Sequence, residues 1–401
     1  MYTPSLFSLA LLASSVTASI TDAPATNNTA SVAAASTSGM TLSQAIAANN
    51  ETLSTLSMLL GQQPALVSAL SSNSSSGITV LAPNNAAFTK FLATPANKAA
   101  AGQSDVVAAV LQYHVLNGTF PASMFSKDAK FIPTLLNNES YTQVTGGQVV
   151  QVALVGSNAV VTTGLKEKST TTQTDIMFNG SVMHIVDTVL TIPISASMSA
   201  IDSNLLSLAG ALKTTSLIAP VESLKDVTIF APSNEAFERI GNTAAALPTM
   251  QLSQILEYHV LNGTVGYSTL LSTGLANESF PSLMGESLTV TSEDSKIFAN
   301  SAEVIGADII VSNGVMHIID NVLNPSNTTA VTNPTATEQP VAFSGATSAA
   351  IAPFTSGISA TTTAPSAATG TSGSEKRIGG DSLGGAVAAV VGAAIMLLQL
   401  E

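Results

Sequence analysis

An internal repeat is the feature of this 401-residue chain that most restricts its possible folds. Three segments occur twice, in the same order: "ITVLAPNNAAF" (78–88) and "VTIFAPSNEAF" (227–237), "LQYHVLNGT" (111–119) and "LEYHVLNGT" (256–264), and "VMHIVDTVL" (182–190) and "VMHIIDNVL" (315–323). Repeats that keep their order over a whole domain length indicate duplication of a folding unit. We therefore predict two tandem domains, 40–191 and 193–325.

Short patterns predict strands in each copy. The β-branched and aromatic runs "ITVL" and "VTIF" end at Ala-Pro followed by a turn, so Pro83 and Pro232 mark the ends of equivalent strands. The segment "VVQVALVGSNAVVTT" predicts a hairpin around Gly156-Ser157-Asn158. The "VMHIVDTVL" segment is apolar on both faces, which is typical of a buried strand.

Helices are predicted where apolar residues recur at helical spacing. Leu42, Ile46, Leu53, Leu56 and Leu60 have this spacing, and the Asn49-Asn50 pair can divide them between two helices. A second group precedes and includes each Tyr-His motif: Val107, Val110, Leu111, His114 and Val115 in the first copy, and Leu252, Ile255, Leu256, His259 and Val260 in the second. This register directs His114 and His259 inward. Leu-Asn-Gly is then expected to end each helix, because Asn and Gly tolerate a left-handed cap.

Composition excludes several classes of function. Twelve Lys and Arg residues and a formal net charge of −13 do not form the basic surface that nucleic acid requires. The chain has no cysteine, which removes disulfides, thiolate catalysis and zinc–thiolate sites. A nucleophile elbow and a Gly-rich phosphate loop are also missing from the sequence. We expect no catalytic residue and no cofactor.

All four histidines belong to the repeated segments. A metal site would pair His114 with His184 and His259 with His317, but the sequence offers no clustered carboxylates to complete a coordination sphere. The alternative is a neutral histidine buried on an apolar face and hydrogen-bonded to backbone. The sequence favours the second interpretation, with structural roles for all four rings and no metal.

Both ends of the chain resemble targeting signals. Residues 1–18 have the apolar run and small-residue cleavage pattern of a signal peptide. Residues 373–401 have the spacer and short apolar tail of a GPI-anchor signal, with Ser372 and Gly373 as attachment candidates. A single spanning helix is the alternative for this tail. Residues 326–372, rich in Ser, Thr, Ala and Pro, predict a disordered stalk.

Nine N-x-S/T sequons agree with passage through the secretory pathway. They lie at Asn27, Asn50, Asn73, Asn117, Asn138, Asn179, Asn262, Asn277 and Asn327.

The three motifs of each copy resemble those of the fasciclin domain, and the likeness covers both repeats. The resemblance implies an α+β fold in each domain: a twisted β-sandwich or wedge with packed α-helices. The secreted, cysteine-free layout with a GPI-type tail is similar to that of fungal cell-surface members. In animal members of the family, recognition of integrins is attributed to an Asp-Ile pair before the last strand and to the Tyr-His region.

This resemblance implies binding residues in both copies. The Asp-Ile pairs are Asp175-Ile176 and Asp308-Ile309, and the Tyr-His pairs are Tyr113-His114 and Tyr258-His259. For the Asp-Ile pairs, the alternative is a strand entry in which the Ile is buried and the Asp is solvated. We expect a non-enzymatic adhesion protein that contacts cell-wall or matrix glycan or protein, or a second copy of itself. A vacuolar or endomembrane trafficking factor and a small-ligand-binding surface protein are the alternatives.

Overall fold

The computed structural model describes residues 39–72, 77–327 and 332–358. The predicted signal peptide and anchor signal, Ser372 and Gly373, and the sequons at Asn27 and Asn73 lie outside these residues. In the part of the chain that is described, no helix has the length and apolar character needed to cross a membrane.

Domain 1 contains one seven-stranded sheet. Its strands are β1 (Ile78–Pro83), β2 (Val115–Asn117), β3 (Lys130–Pro133), β4 (Val149–Val155), β5 (Asn158–Thr162), β6 (Lys168–Phe178) and β7 (Ser181–Val186). Their order is β2-β1-β7-β6-β5-β4-β3. Only β1 and β7 pair in parallel within this sheet. The predicted hairpin is confirmed, with Val155 opposite Asn158 and Gly156 in the left-handed region at φ 65°.

The two edges of this sheet meet, which makes it barrel-like. An isolated bridge joins Leu116 of β2 to Thr134 after β3, and the Leu135 N–H donates to the Val115 carbonyl at 2.8 Å. Both edges are thereby supplied with hydrogen-bond partners, which limits pairing with other chains.

Helices cover one side of this sheet. They are α1 (Leu42–Ala48), α2 (Asn50–Gly61), α3 (Pro64–Ser72), α4 (Asn85–Phe91), α5 (Pro95–Ala100) and α6 (Ser104–Tyr113), with short 3₁₀ helices at Ala122–Met124 and Gly164–Lys166. The predicted division at Asn49-Asn50 is confirmed, and the Asn49 side chain donates to the Ala45 carbonyl at 2.9 Å. Every residue of β1 and β7 is buried, so both faces of these strands are covered, and residues of the helices and of the other strands share one core with them.

Domain 2 repeats this architecture. Its helices are α7 (Ala196–Asp202), α8 (Leu206–Thr214), α9 (Ile218–Glu222), α10 (Asn234–Arg239), α11 (Gly241–Ala246), α12 (Thr249–Tyr258) and α13 (Ser268–Leu271). Its strands are β8 (Val227–Pro232), β9 (Val260–Leu261), β10 (Glu278–Pro281), β11 (Ser287–Glu293), β12 (Lys296–Ala299), β13 (Ala302–Val311) and β14 (Gly314–Ile319). The order β10-β11-β12-β13-β14-β8-β9 matches that of domain 1, and the Leu261–Ser282 bridge closes the sheet. The predicted α+β class is confirmed.

The helix before each Tyr-His motif ends earlier than the sequence predicted. α6 ends at Tyr113, and His114 is its C-cap, whereas the sequence predicted that the helix continues to Asn117-Gly118. Val115 instead enters β2 opposite Val80 of β1. A β-branched residue fits this pleated, buried position well, and pairing with β1 outweighs one further helical turn.

Residues 332–358 differ from the predicted disordered stalk. They form no regular helix or strand, but Val341, Phe343 and Phe354 pack against the core of domain 2, and Ile358 is buried. The Asn324 and Asn327 side chains donate to the Ala342 carbonyl. The apolar residues scattered through this Ser- and Thr-rich segment bury enough surface to order it. The prediction of disorder was based on average composition, which does not show these individual residues.

The two domains are joined by direct contacts as well as by a short connection. The Gln143 N–H and the Thr142 hydroxyl both donate to the Ser312 carbonyl. Phe131 of domain 1 and Tyr267 of domain 2 stack with ring centroids 4.1 Å apart and planes 9° apart. These contacts restrict the movement of one domain relative to the other.

Candidate functional site

His114 and His259 occupy equivalent buried positions at the ends of α6 and α12. The His114 Nδ1 lies 2.7 Å from the Val110 carbonyl oxygen, and its Nε2 accepts from the Leu190 N–H at 2.8 Å. His259 repeats this arrangement with Ile255 at 2.7 Å and Leu323 at 2.9 Å. Since Nε2 accepts, the proton of each neutral ring is on Nδ1.

Electrostatics keep these two rings neutral. Burial lowers the pKa of both His114 and His259 to about 4, because a charged imidazolium would lose its hydration, and the hydrogen bond to the carbonyl opposes this only in part. Each ring therefore joins the end of a helix to the segment after the last strand, Leu190 or Leu323. This is a structural role for the repeated Tyr-His motif.

His184 and His317 join the Asp-Ile pairs to a neighbouring loop. The His184 Nδ1 accepts from the Asp175 N–H at 3.2 Å, and its Nε2 donates to the Phe120 carbonyl at 2.9 Å. His317 makes the same pair of bonds with Asp308 at 3.2 Å and Gly266 at 2.7 Å. Burial is the largest cause that lowers the pKa of both rings.

The hydrogen bonds of the four histidine rings occupy the nitrogen atoms that a metal ion would need. A neutral imidazole has one ring nitrogen with a free lone pair. In all four rings that nitrogen already accepts a backbone N–H, from Leu190, Asp175, Leu323 or Asp308. A metal would have to displace a buried backbone hydrogen bond at each site. Among the described residues, no group of three or more His, Asp and Glu side chains is arranged to hold a metal ion.

The Asp-Ile pairs lie in bulges of β6 and β13. Asp175 and Asp308 have φ values of 61° and 62°, and the strand register shifts beside each. The Asp175 carboxylate accepts from the Ala122 N–H at 2.8 Å, and that of Asp308 accepts from the N–H and hydroxyl of Ser268. Each carboxylate thus caps the short helix that follows the loop, much as an N-cap residue does.

Exposure differs between the two Asp-Ile pairs. Asp175 is exposed and Ile176 is half-buried, whereas Asp308 and Ile309 are only 6% and 3% exposed. Only the domain 1 pair therefore presents side-chain surface of the kind that a partner can contact. The sequence could not distinguish them, because the two pairs sit in equivalent segments.

The tyrosines and prolines of the motifs lie in the core. The Tyr113 hydroxyl donates to the Val149 carbonyl at 2.9 Å, and that of Tyr258 donates to the Ser287 carbonyl at 3.0 Å. Pro83 and Pro232 are buried at the ends of β1 and β8, as the sequence predicted. The following residues, Asn84 and Ser233, cap α4 and α10.

The described sequons are mostly exposed. Six are at the surface: Asn50, Asn117, Asn138, Asn179, Asn262 and Asn277. Asn327 differs, because it is half-buried and its amide donates to the Ala342 carbonyl at 2.9 Å.

An apolar groove in domain 1 was not identified from the sequence. Its volume is about 260 Å³, and it lies between α2, α4, α5 and α6. Met58 and Leu92, 59% and 37% exposed, border the groove, and Phe88 and Val110 line it. Helical spacing assigned Val110 to the core, and no periodicity marks Met58 as a groove residue.

Comparison with known proteins agrees with this duplicated architecture. The fasciclin domain model matches residues 51–193 and 203–325. The chain belongs to the fasciclin domain family.

The similar proteins differ in how much of their length this chain matches. A fasciclin-like arabinogalactan protein of Arthroderma benhamiae is 31% identical over 308 residues, covering 76% of this chain and 72% of that protein. The fasciclin-like arabinogalactan protein elcF of Phaeosphaeria nodorum is 29% identical, covering 68% and 85%. Transforming growth factor-beta-induced protein ig-h3 of Sus scrofa is 34% identical over 146 residues, covering 35% and 21%.

A solved structure is also similar. It is the FAS1 domain pair of the insect cell adhesion molecule fasciclin I, which is 18% identical, with a TM-score of 0.33, covering 69% of this chain and 98% of that one.

Proposed function

We propose that this chain is a non-enzymatic adhesion protein of the cell surface, where its two fasciclin domains contact cell-wall or matrix components or a second copy. The observation that carries the proposal is that every repeated His, Asp and Tyr motif residue is hydrogen-bonded within the fold. The chemistry-bearing residues of both copies thus support the scaffold, and the surface is left to make contacts.

Family membership supports the same role. Similar proteins include fasciclin-like arabinogalactan proteins. Two domains joined in one unit can strengthen weak contacts, because binding of the first raises the effective concentration of the second.

The proposed location is the outer face of the plasma membrane or the cell wall, with a GPI anchor. Support comes from the signal-like pattern of residues 1–18, the anchor-like pattern of residues 373–401 and six exposed sequons. Exposed Asp175 of the Asp-Ile pair in domain 1 is part of the proposed contact surface.

The test uses beads coated with the full chain. We expect them to bind cell-wall polymer, matrix protein or one another, and beads coated with heat-unfolded chain to bind none of these. If folded chain associates with none of the three, the adhesion role is wrong. Immunolocalisation to an internal membrane in place of the surface would instead favour the trafficking alternative.

A further inference from the structure

The groove of domain 1 has an equivalent in domain 2, and there the chain's own C-terminal segment occupies it. The repeated strand–turn–helix motif places Phe88 and Phe237 at the same position, and four residues later Leu92 and Gly241. Phe88 and Leu92 line the open groove of domain 1. In domain 2, Phe237 instead makes an edge-on contact with Phe354, with ring centroids 6.1 Å apart and planes 83° apart.

A second pair of positions confirms the equivalence. Thr55 and Ser207 correspond, because the N–H of each donates to the side chain of the asparagine that begins α4 or α10. Three residues later, Met58 corresponds to Gly210. A Cβ on Gly210 would lie 1.8 Å from the Phe354 carbonyl oxygen, so the absence of a side chain admits the segment.

The C-terminal segment is held as a peptide of turns and bends, without regular secondary structure. The Ala349 N–H donates to the Glu238 carbonyl at 2.9 Å, and Asn242 bonds to the backbone and hydroxyl of Thr347. Gly241 lies against Ala349, where a Cβ would come within 2.2 Å of the alanine Cβ. Residues 339–358 contain no charged side chain. Domain 2 therefore binds an uncharged peptide through backbone hydrogen bonds and one aromatic anchor.

The open groove matches such a ligand in charge and size. The described residues that line it include no Asp, Glu, Lys or Arg, and His114 is the only ionisable side chain among them, kept neutral by burial. Its volume of about 260 Å³ is below the roughly 300–1,000 Å³ typical of pockets that enclose a whole small ligand. It suits the anchoring side chain of a longer molecule. Met58 is unbranched and exposed at the border, so it can adapt to what enters.

We propose that the groove of domain 1 binds an uncharged peptide segment of another protein through an aromatic side chain, as domain 2 binds residues 339–358 of its own chain. The inference rests on the proposed adhesion role, for which it names the partner chemistry and the contact surface. Residues 339–358 close the site of domain 2, whereas no described residue fills the groove of domain 1.

The test uses a fluorescent synthetic peptide of residues 339–358 and the full chain, with fluorescence anisotropy as the measurement. We expect saturable binding, weakened at least tenfold by Met58→Glu, which places a charge at the border of the apolar groove. Met250→Glu is the matched control, because Met250 is 76% exposed on α12 and does not line the groove. A peptide with Phe354→Ala should also bind at least tenfold more weakly.

Each other outcome overturns the proposal. The proposal is wrong if the peptide shows no saturable binding to the wild-type chain. It is also wrong if the peptide binds Met58→Glu as tightly as the wild type, because the peptide would then be replacing the chain's own segment in domain 2. Self-association without peptide binding would identify a second copy as the occupant instead. If Met58→Glu changes the circular dichroism spectrum, Leu92→Glu replaces it. Bead adhesion that persists without peptide binding would refute this site and leave the adhesion role standing.

Discussion

Acid should destabilise each domain through its buried Tyr-His histidine. The folded pKa of His114 and of His259 is about 4, whereas an unfolded histidine has a pKa of about 6.5. Between these values the unfolded state binds more protons, so the free energy of unfolding falls as the pH falls from about 6.5 towards 4. From these two pKa values, the free energy of unfolding of each domain should fall by about 2 kcal/mol between pH 7 and pH 5.

The variant His259→Gln isolates this effect in domain 2. Its amide keeps one donor and one acceptor but does not titrate, so the part of the acid sensitivity due to this residue should disappear. We expect about 1–3 kcal/mol of destabilisation at pH 7 from imperfect bonds to Ile255 and Leu323. From pH 7 to pH 5, the free energy of unfolding of domain 2 should fall by about 2 kcal/mol more in the wild type than in the variant.

Urea unfolding read by hydrogen exchange of peptides from each domain provides the measurement, with unchanged domain 1 as the internal control. Other groups that titrate in this range, including carboxylates, cancel in the comparison of wild type with variant. Equal pH dependence in the two proteins would refute the argument. So would an NMR titration in which the His259 ring protonates near pH 6.5.

Three further predictions concern the loop cap, the domain contact and glycosylation. Asp308→Ala should cost about 1–3 kcal/mol of domain 2 stability in a urea titration, because Ser268 loses its acceptor, and Asp308→Asn should cost less. Phe131→Ala removes the stack on Tyr267, so the domains should separate more often and the radius of gyration from small-angle X-ray scattering should increase. An unchanged radius of gyration would contradict this. Glycopeptide mass spectrometry should find Asn327 less occupied than the six exposed sequons, because its amide is bonded to Ala342, and equal occupancy would contradict this.

Repetition and periodicity predicted much of the fold. The duplicated segments defined both domains, and helical spacing correctly directed His114 inward, since a regular apolar pattern leaves one orientation for each helix. The helix end at Tyr113 was missed because local propensity does not register the pairing of Val115 with Val80, which is distant in sequence.

The candidate interaction surface was harder to predict. The groove of domain 1 is recognised by comparison with domain 2, where two glycines, Gly210 and Gly241, admit a segment more than 100 residues later in the chain. Neither glycine stands in a turn motif, and Phe354 has no periodic neighbours. The composition of residues 332–358 indicates disorder, and only the three-dimensional placement shows where its few apolar side chains can be buried.

Phospholipase release of the protein from intact cells, with adhesion measured before and after, tests the central claim most directly. Cells that display the full chain should adhere to wall polymer, to matrix protein or to one another. Treatment with phosphatidylinositol-specific phospholipase C should release the protein and reduce adhesion to the level of cells that lack it. A protein that stays cell-associated at an internal membrane, on cells that adhere no better than those lacking it, would contradict the account.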